Sequence, residues 1–96
     1  MIGANCNIGR GVKISGNTII GDMCIIEDGV VLENAIIWPD VYLGRNTKIK
    51  NAIVGSWSHL DSNVTVEEHV VIANRCRIKT GISLAAGAKI SPDTTV

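Results

Sequence analysis

Ile2, Ile8, Ile14, Ile20, Ile26 and Leu32 stand six residues apart, and no polar residue interrupts the series. A spacing of six fits neither the 3.6-residue turn of a helix nor an isolated alternating strand, so it marks a structural repeat. The series continues after two steps of five. Leu32 leads to Ile37, then Leu43 and Ile49; a second short step reaches Val54, and Leu60, Val66, Ile72, Ile78, Leu84, Ile90 and Val96 carry the phase to the last residue. The whole of residues 1–96 lies inside the repeat.

A second position in each unit is restricted. Four residues after each guide aliphatic stand Cys6, Val12, Thr18, Cys24, Val30, Val41, Thr47, Ser58, Val64, Val70, Cys76, Ile82, Ala88 and Thr94, with Ala35 and Ala52 in the shortened units. All are small or β-branched. Side chains alternate along a strand, so this residue shares a face with the next guide aliphatic, two positions on. Each unit is therefore a short strand with two inward residues, followed by a corner. The second corner residue is Asn5, Gly11, Asn17, Gly29, Asp40, Asn46, Asn63, Gly81, Gly87 or Asp93 in most units, types that tolerate positive φ. Met23, Trp57, His69 and Arg75 depart from that rule, and their corners are expected to be strained or differently shaped.

Three strands and three corners close a triangular coil, with coils at 2–19, 20–36, 37–53, 54–71 and 72–89 and a partial coil from 90. The phrases Glu33-Asn34-Ala35-Ile36 and Lys50-Asn51-Ala52-Ile53 place both one-residue deletions on the same edge, as stacked coils require. At ~4.8 Å per coil the prism stands roughly 25 Å tall, each strand pairing in parallel with its equivalents above and below. The fold class is all-β, a single-stranded parallel β-helix of about five triangular coils.

Nine basic and nine acidic residues balance, which gives no electrostatic reason for a nucleic-acid partner or an anionic membrane. No apolar run is long enough to span a bilayer, and Asn5, Asn7, Arg10 and Lys13 break up any leader-like N-terminus. A cytoplasmic setting is expected. Cys6, Cys24 and Cys76 fall in one inward column. Cys76 is too far along the prism from the others to share a metal with them, and although Cys6 and Cys24 are stacked neighbours, all three read as reduced thiols filling small apolar positions.

Outward positions distinguish the three faces. The Ile8 face carries Glu27, Asp61, Arg77 and Lys79. The Ile14 face carries Lys13, Lys48, Lys50, Glu33 and Glu67, with Glu33, Lys50 and Glu67 expected to form an alternating charge ladder. The Ile2 face differs: Met1, Ile19, Ile36, Ile53 and Val71 form one outward column and Gly3, Gly21, Trp38, Gly55 and Ala73 the other, uncharged until Lys89. An apolar stripe of this extent marks a contact surface. Ile19, Ile36, Trp38, Ile53 and Val71 are the interface candidates, with a homodimer favoured as the assembly.

The units Ile2-Gly3-Ala4-Asn5-Cys6, Ile8-Gly9-Arg10-Gly11-Val12 and Leu43-Gly44-Arg45-Asn46-Thr47 resemble the signature of the hexapeptide-repeat proteins. That resemblance implies a left-handed coil, against the usual right-handed crossover. A narrower likeness comes from Ala35-Ile36-Ile37-Trp38-Pro39-Asp40-Val41-Tyr42-Leu43-Gly44, from Ile49-Lys50-Asn51-Ala52-Ile53-Val54-Gly55 and from Ala86-Gly87-Ala88-Lys89-Ile90-Ser91-Pro92-Asp93. These resemble the C-terminal β-helix of sugar-1-phosphate nucleotidylyltransferases of the mannose-1-phosphate guanylyltransferase type. The resemblance implies that residues 1–96 are one domain of a larger enzyme, whose glycine-rich nucleotide-binding domain lies elsewhere and is a second candidate to cover the Ile2 face. On this reading the domain carries no catalytic residue, cofactor or metal of its own. Two other readings stand beside it: a hexapeptide acyltransferase using His59 or His69 as general base with an acyl-CoA donor, and a structural module like those of translation-initiation exchange factors.

Overall fold

The computed structural model describes residues 1–96 as fifteen short strands without a helix, so no helix is long and apolar enough to cross a membrane. Successive strands fall in turn on three sides of a prism. The Ile8 face holds β1 (Asn7–Ile8), β4 (Ile25–Ile26), β7 (Tyr42–Leu43), β10 (His59–Leu60) and β13 (Arg77–Ile78). The Ile14 face holds β2 (Lys13–Ser15), β5 (Val31–Glu33), β8 (Lys48–Lys50), β11 (Thr65–Val66) and β14 (Ser83–Leu84). The Ile2 face holds β3 (Ile19–Ile20), β6 (Ile36–Ile37), β9 (Ile53–Val54), β12 (Val71–Ile72) and β15 (Lys89–Ile90), and Ile2 joins it by a bridge to Ile20. The prism measures 27 × 23 × 19 Å.

All pairings are parallel, and the guide aliphatics stack upon one another. Ile20, Ile37, Val54, Ile72 and Ile90 form one such column. Ile26, Leu32, Ile37, Leu43, Ile49, Val54 and Leu60 are sealed from solvent, with Val30, Ala35, Val41 and Ala52 filling the space between them. Removing each large aliphatic from water is worth about 1.5–3 kcal/mol, and this thin axial core is what holds the three sheets together. Ile2, Ile8 and Ile14 keep the inward columns but remain partly exposed, because no coil lies on their outer side.

The corners explain the restricted residues at their tips. Asn5, Asp40, Asn46, Asn63 and Asp93 sit at positive φ, as do Gly11, Gly29, Gly81 and Gly87. Asn17 does not: in that corner Gly16 takes φ 68, and the Asn17 N–H donates to Asn34 Oδ1 at 2.8 Å in the next coil. Met23, Trp57, His69 and Arg75, expected to make differently shaped corners, instead adopt the same turn at φ 59, 64, 62 and 58. Stacking imposes the conformation regardless of residue type, and a bulky side chain there costs about 1–2 kcal/mol. Elsewhere the corners are latched between coils. Asp22 Oδ1 accepts the Ala4 N–H at 2.8 Å, Asp28 Oδ1 the Arg10 N–H at 2.8 Å, and Asn74 Oδ1 the Ser56 N–H at 3.0 Å.

Candidate functional site

The Ile2 face brings the interface candidates together. Ile19, Ile36, Ile53 and Val71 are register partners on β3, β6, β9 and β12, so their side chains rise in one column from a nearly flat sheet. All four remain exposed although each is aliphatic. Beside them Trp38 is 53% exposed and stands alone in its column, between Gly21 and Gly55. Gly55 is bare for a reason internal to the coil: a Cβ there would lie 2.6 Å from the Ala73 carbonyl carbon. The contrast of a tall indole with an obligatorily flat neighbour leaves a shallow depression lined by Trp38, Ile53, Gly55, Ser56, Val71, Ile72, Ala73 and Asn74. Its floor is apolar, and its polar rim is the corner pair Ser56 and Asn74.

Two residues that the sequence flagged only as irregular extend this surface. Met23 and Trp57, 59% and 65% exposed, project from the edge shared by the Ile2 and Ile8 faces, next to Trp38. The signal for them was present in the sequence as large apolar residues at corner tips where Asn, Asp or Gly is usual.

The Ile8 face carries a polar chain that the spacing did not reveal. Tyr42 Oη donates to Glu27 Oε2 at 2.8 Å, the Tyr42 ring stacks on His59 with centroids 4.3 Å apart, and His59 Nε2 lies 2.9 Å from Asp61 Oδ1. Arg77 Nη2 reaches Asp61 Oδ2 at 3.5 Å. The glutamate hydrogen bond raises the Tyr42 pKa, with burial and the carboxylate charge acting the same way. His69 sits at a corner on the opposite edge, away from this chain of contacts. Neither depression on the surface adjoins His59: one lies on the Ile2 face and the other on the Ile14 face between Val31, Lys50 and Glu67.

Two details of the remaining residues are corrected. Lys50 does bridge two coils, but its partners are Glu33 at 4.0 Å and Glu68 at 3.8 Å, not Glu67. The cysteines are free thiols, yet they are more than apolar filler. Cys6 Sγ donates to Gly21 O at 3.1 Å, Cys24 Sγ to Trp38 O at 3.2 Å and Cys76 Sγ to Ser91 O at 3.1 Å, while Ser58 Oγ in the same column donates to Ala73 O at 3.0 Å. Each ties one coil to a corner carbonyl of the next, and burial raises the Cys24 pKa, which keeps that thiol protonated.

Known proteins share this fold. A family model described as the EIF2B subunit epsilon LbH domain matches residues 1–84. The bifunctional protein GlmU of Listeria welshimeri is 30% identical over 94 residues, covering 93% of this chain and 20% of that protein, and GlmU of Alkaliphilus oremlandii is 32% identical over 83 residues. The chain thus spans about a fifth of the length of these curated relatives. Among solved structures, a hexapeptide transferase family protein from Anaplasma phagocytophilum superposes with a TM-score of 0.88 at 20% identity, over 92% of this chain and 56% of that one. Perosamine N-acetyltransferase from Caulobacter crescentus superposes with a TM-score of 0.78 at 21% identity, over 94% and 47%. With the family model matched over most of its length and the solved coils superposing on its own, this chain belongs to the EIF2B subunit epsilon LbH domain family and is a left-handed parallel β-helix of hexapeptide repeats.

Proposed function

We propose that this domain is the assembly module of a cytoplasmic sugar-1-phosphate nucleotidylyltransferase, that it performs no chemistry itself, and that its Ile2 face packs against a second copy. The observation that carries the reading is the uncharged column Ile19, Ile36, Ile53 and Val71 with Trp38 beside it. The face is one of three long sides of a prism with 5238 Å² of accessible surface. Covering it recovers about 25 cal/mol per Å² of apolar area, before the cost of association. In this reading the nucleotidyltransferase domain of the parent chain lies outside residues 1–96, joins a sugar 1-phosphate to a nucleoside triphosphate, and is held in a defined oligomer by the coil. The likeness to GlmU and to the nucleotidylyltransferase β-helices supports that placement.

The acyltransferase reading has one observation in its favour, the His59–Asp61 pair, in which the carboxylate orients the imidazole as a general base requires. The surface around the pair is a flat sheet without a depression to hold an acceptor, so the assembly reading is preferred. Solution mass of residues 1–96, wild type and with Ile36→Glu and Ile53→Glu together, is the test. A wild-type dimer that becomes a folded monomer supports the reading. A monomeric wild type, or an oligomer that the two glutamates leave unchanged, overturns it.

A further inference from the structure

Cys6 and Cys24 hold the same inward position on successive coils. β1 and β4 pair with Asn7 opposite Ile25, and the Asn7 N–H donates to Cys24 O at 3.0 Å, so the residues one step back, Cys6 and Cys24, stand opposite one another as well. No residue of the column separates them, whereas Val41 and Ser58 lie between Cys24 and Cys76. Parallel strands are ~4.8 Å apart. That spacing puts the two Cα atoms within the span of about 4.4–6.8 Å that a disulfide accepts, and the two Cβ atoms slightly beyond their usual span of about 3.5–4.5 Å.

The two thiols differ in access. Cys6 is half-buried, on the coil whose Ile2, Ile8 and Ile14 remain partly exposed, while Cys24 is sealed from solvent. Each is held by a different carbonyl in the reduced protein, Cys6 Sγ donating to Gly21 O and Cys24 Sγ to Trp38 O. Burial keeps Cys24 protonated, which leaves Cys6 as the thiol that reacts first.

We propose that Cys6 and Cys24 are an oxidisable pair that staples the first coil to the second when the chain meets a low-molecular-weight disulfide of the glutathione class. The Cys6 thiolate attacks one sulfur of that disulfide; its S–S bond breaks, a mixed disulfide forms on Cys6, and one small thiolate leaves and takes up a proton. Cys24 then gives its proton to solvent and attacks Cys6 Sγ, and the second small thiol departs. Two protein thiols are thereby oxidised to one disulfide while one small disulfide is reduced to two thiols. The bridge has to draw the Cβ atoms together, so it is strained, and a strained disulfide is readily reduced again. Reversibility of that kind suits the cytoplasmic setting proposed above, where disulfides serve sensing rather than structure.

The bond has two local effects. It closes a covalent loop beside the amides of Asn7 and Gly9, which donate to Cys24 O at 3.0 Å and to Ile26 O at 2.7 Å across the same two coils. It also withdraws the proton that Cys24 Sγ gives to Trp38 O at 3.2 Å, so oxidation inside the coil reaches the backbone of the residue whose indole stands on the Ile2 face.

The test is equilibration of residues 1–96, folded and without denaturant, in mixtures of oxidised and reduced glutathione. Non-reducing tryptic mapping should show the peptide of residues 1–10 joined to that of residues 14–45, with Cys76 still free, and excess reduced glutathione should reverse the link. Hydrogen exchange at Asn7 and Gly9 should slow about tenfold or more in the oxidised chain. In Cys24→Ser, whose hydroxyl can donate as Ser58 does in the same column, Cys6 should stop at the mixed disulfide and those amides should exchange as in the reduced wild type. A wild type that stops at the mixed disulfide, links Cys6 between chains or does not react overturns the pairing, and so does oxidation of Cys76 at the same rate, which would mean reaction through the unfolded chain. A Cys6–Cys24 bond that leaves exchange at Asn7 and Gly9 unchanged overturns the staple.

Discussion

His59 lies flat on Tyr42, one coil away in the same outward column, with ring centroids 4.3 Å apart and planes 18° apart. The stack holds the phenol where its hydroxyl meets Glu27, and so couples the only tyrosine in the chain to a carboxylate one further coil away.

Tyr42 is therefore expected to ionise above its ordinary value of 10, because its hydroxyl donates to Glu27 and the phenolate would lie beside a negative charge. With the folded pKa raised, the stabilisation is complete below pH 10 and is lost as pH rises through the folded pKa. Ultraviolet titration of the wild type should show the late midpoint, and Glu27→Gln should bring it back toward 10. An unchanged midpoint in that variant would deny the coupling.

Asp93 is expected to titrate on the other side. Arg75 Nε and Nη2 donate to its two carboxylate oxygens at 2.6 and 3.1 Å, which lowers its pKa from 3.8. The contribution is present above the ordinary carboxylate pKa and disappears as pH falls through the depressed one. NMR titration of the Asp93 carboxyl should show the depression and Arg75→Ala should remove it, with little change in thermal midpoint because the pair is exposed.

Leu60→Asp is expected to abolish folding. Leu60 has no exposed surface and stacks between Leu43 and Ile78, so the carboxylate would enter a layer of aliphatics with no partner. Far-ultraviolet circular dichroism should lose its β signal, while Leu60→Met should retain it. A folded Leu60→Asp chain would mean that the axial core is looser than its geometry indicates.

Gly44→Ala is expected to cost about 1–3 kcal/mol, the range for forcing extra volume into a packed site. An added Cβ would lie 2.5 Å from the carbonyl carbon of Asp61 and 2.7 Å from both the Asp61 oxygen and the Ser62 nitrogen, all backbone atoms with little room to yield. Urea denaturation measures the loss. The control is Gly87→Asn, where nothing lies within 4 Å of the new Cβ and asparagine tolerates the positive φ of 79, so the midpoint should move much less.

The coil was readable because each guide aliphatic must face inward, which prints the period directly on the chain. Deletions at Asn34 and Asn51 were readable for the same reason: a stack tolerates a shortened corner only if its neighbour on that edge can follow. What spacing could not decide was any choice between adjacent residues of similar type. Gly16 and Asn17 both suit a left-handed turn, and the selection is made by the Asn34 side chain reaching back to the Asn17 N–H. Glu67 and Glu68 both suit Lys50, and it is the corner residue Glu68 whose carboxylate stands 3.8 Å from the ammonium. The interface column was legible as a lack of charge, but Met23 and Trp57 were not placed with it, since an edge residue belongs to two faces and an alternation pattern assigns it to neither.

Every strand pairs with the strand 17 or 18 residues away, never farther. The entropy of closing each coil is therefore nearly constant, and it is repaid locally as soon as two neighbouring coils meet. Folding such a chain is a zipper that can start at any adjacent pair and run both ways, with no long search for a distant partner. Amide protection should accordingly peak around Leu43 and Leu60, decline toward Ile8 and Ile90, and move as a gradient rather than vanish in a single step when the terminal coils open first.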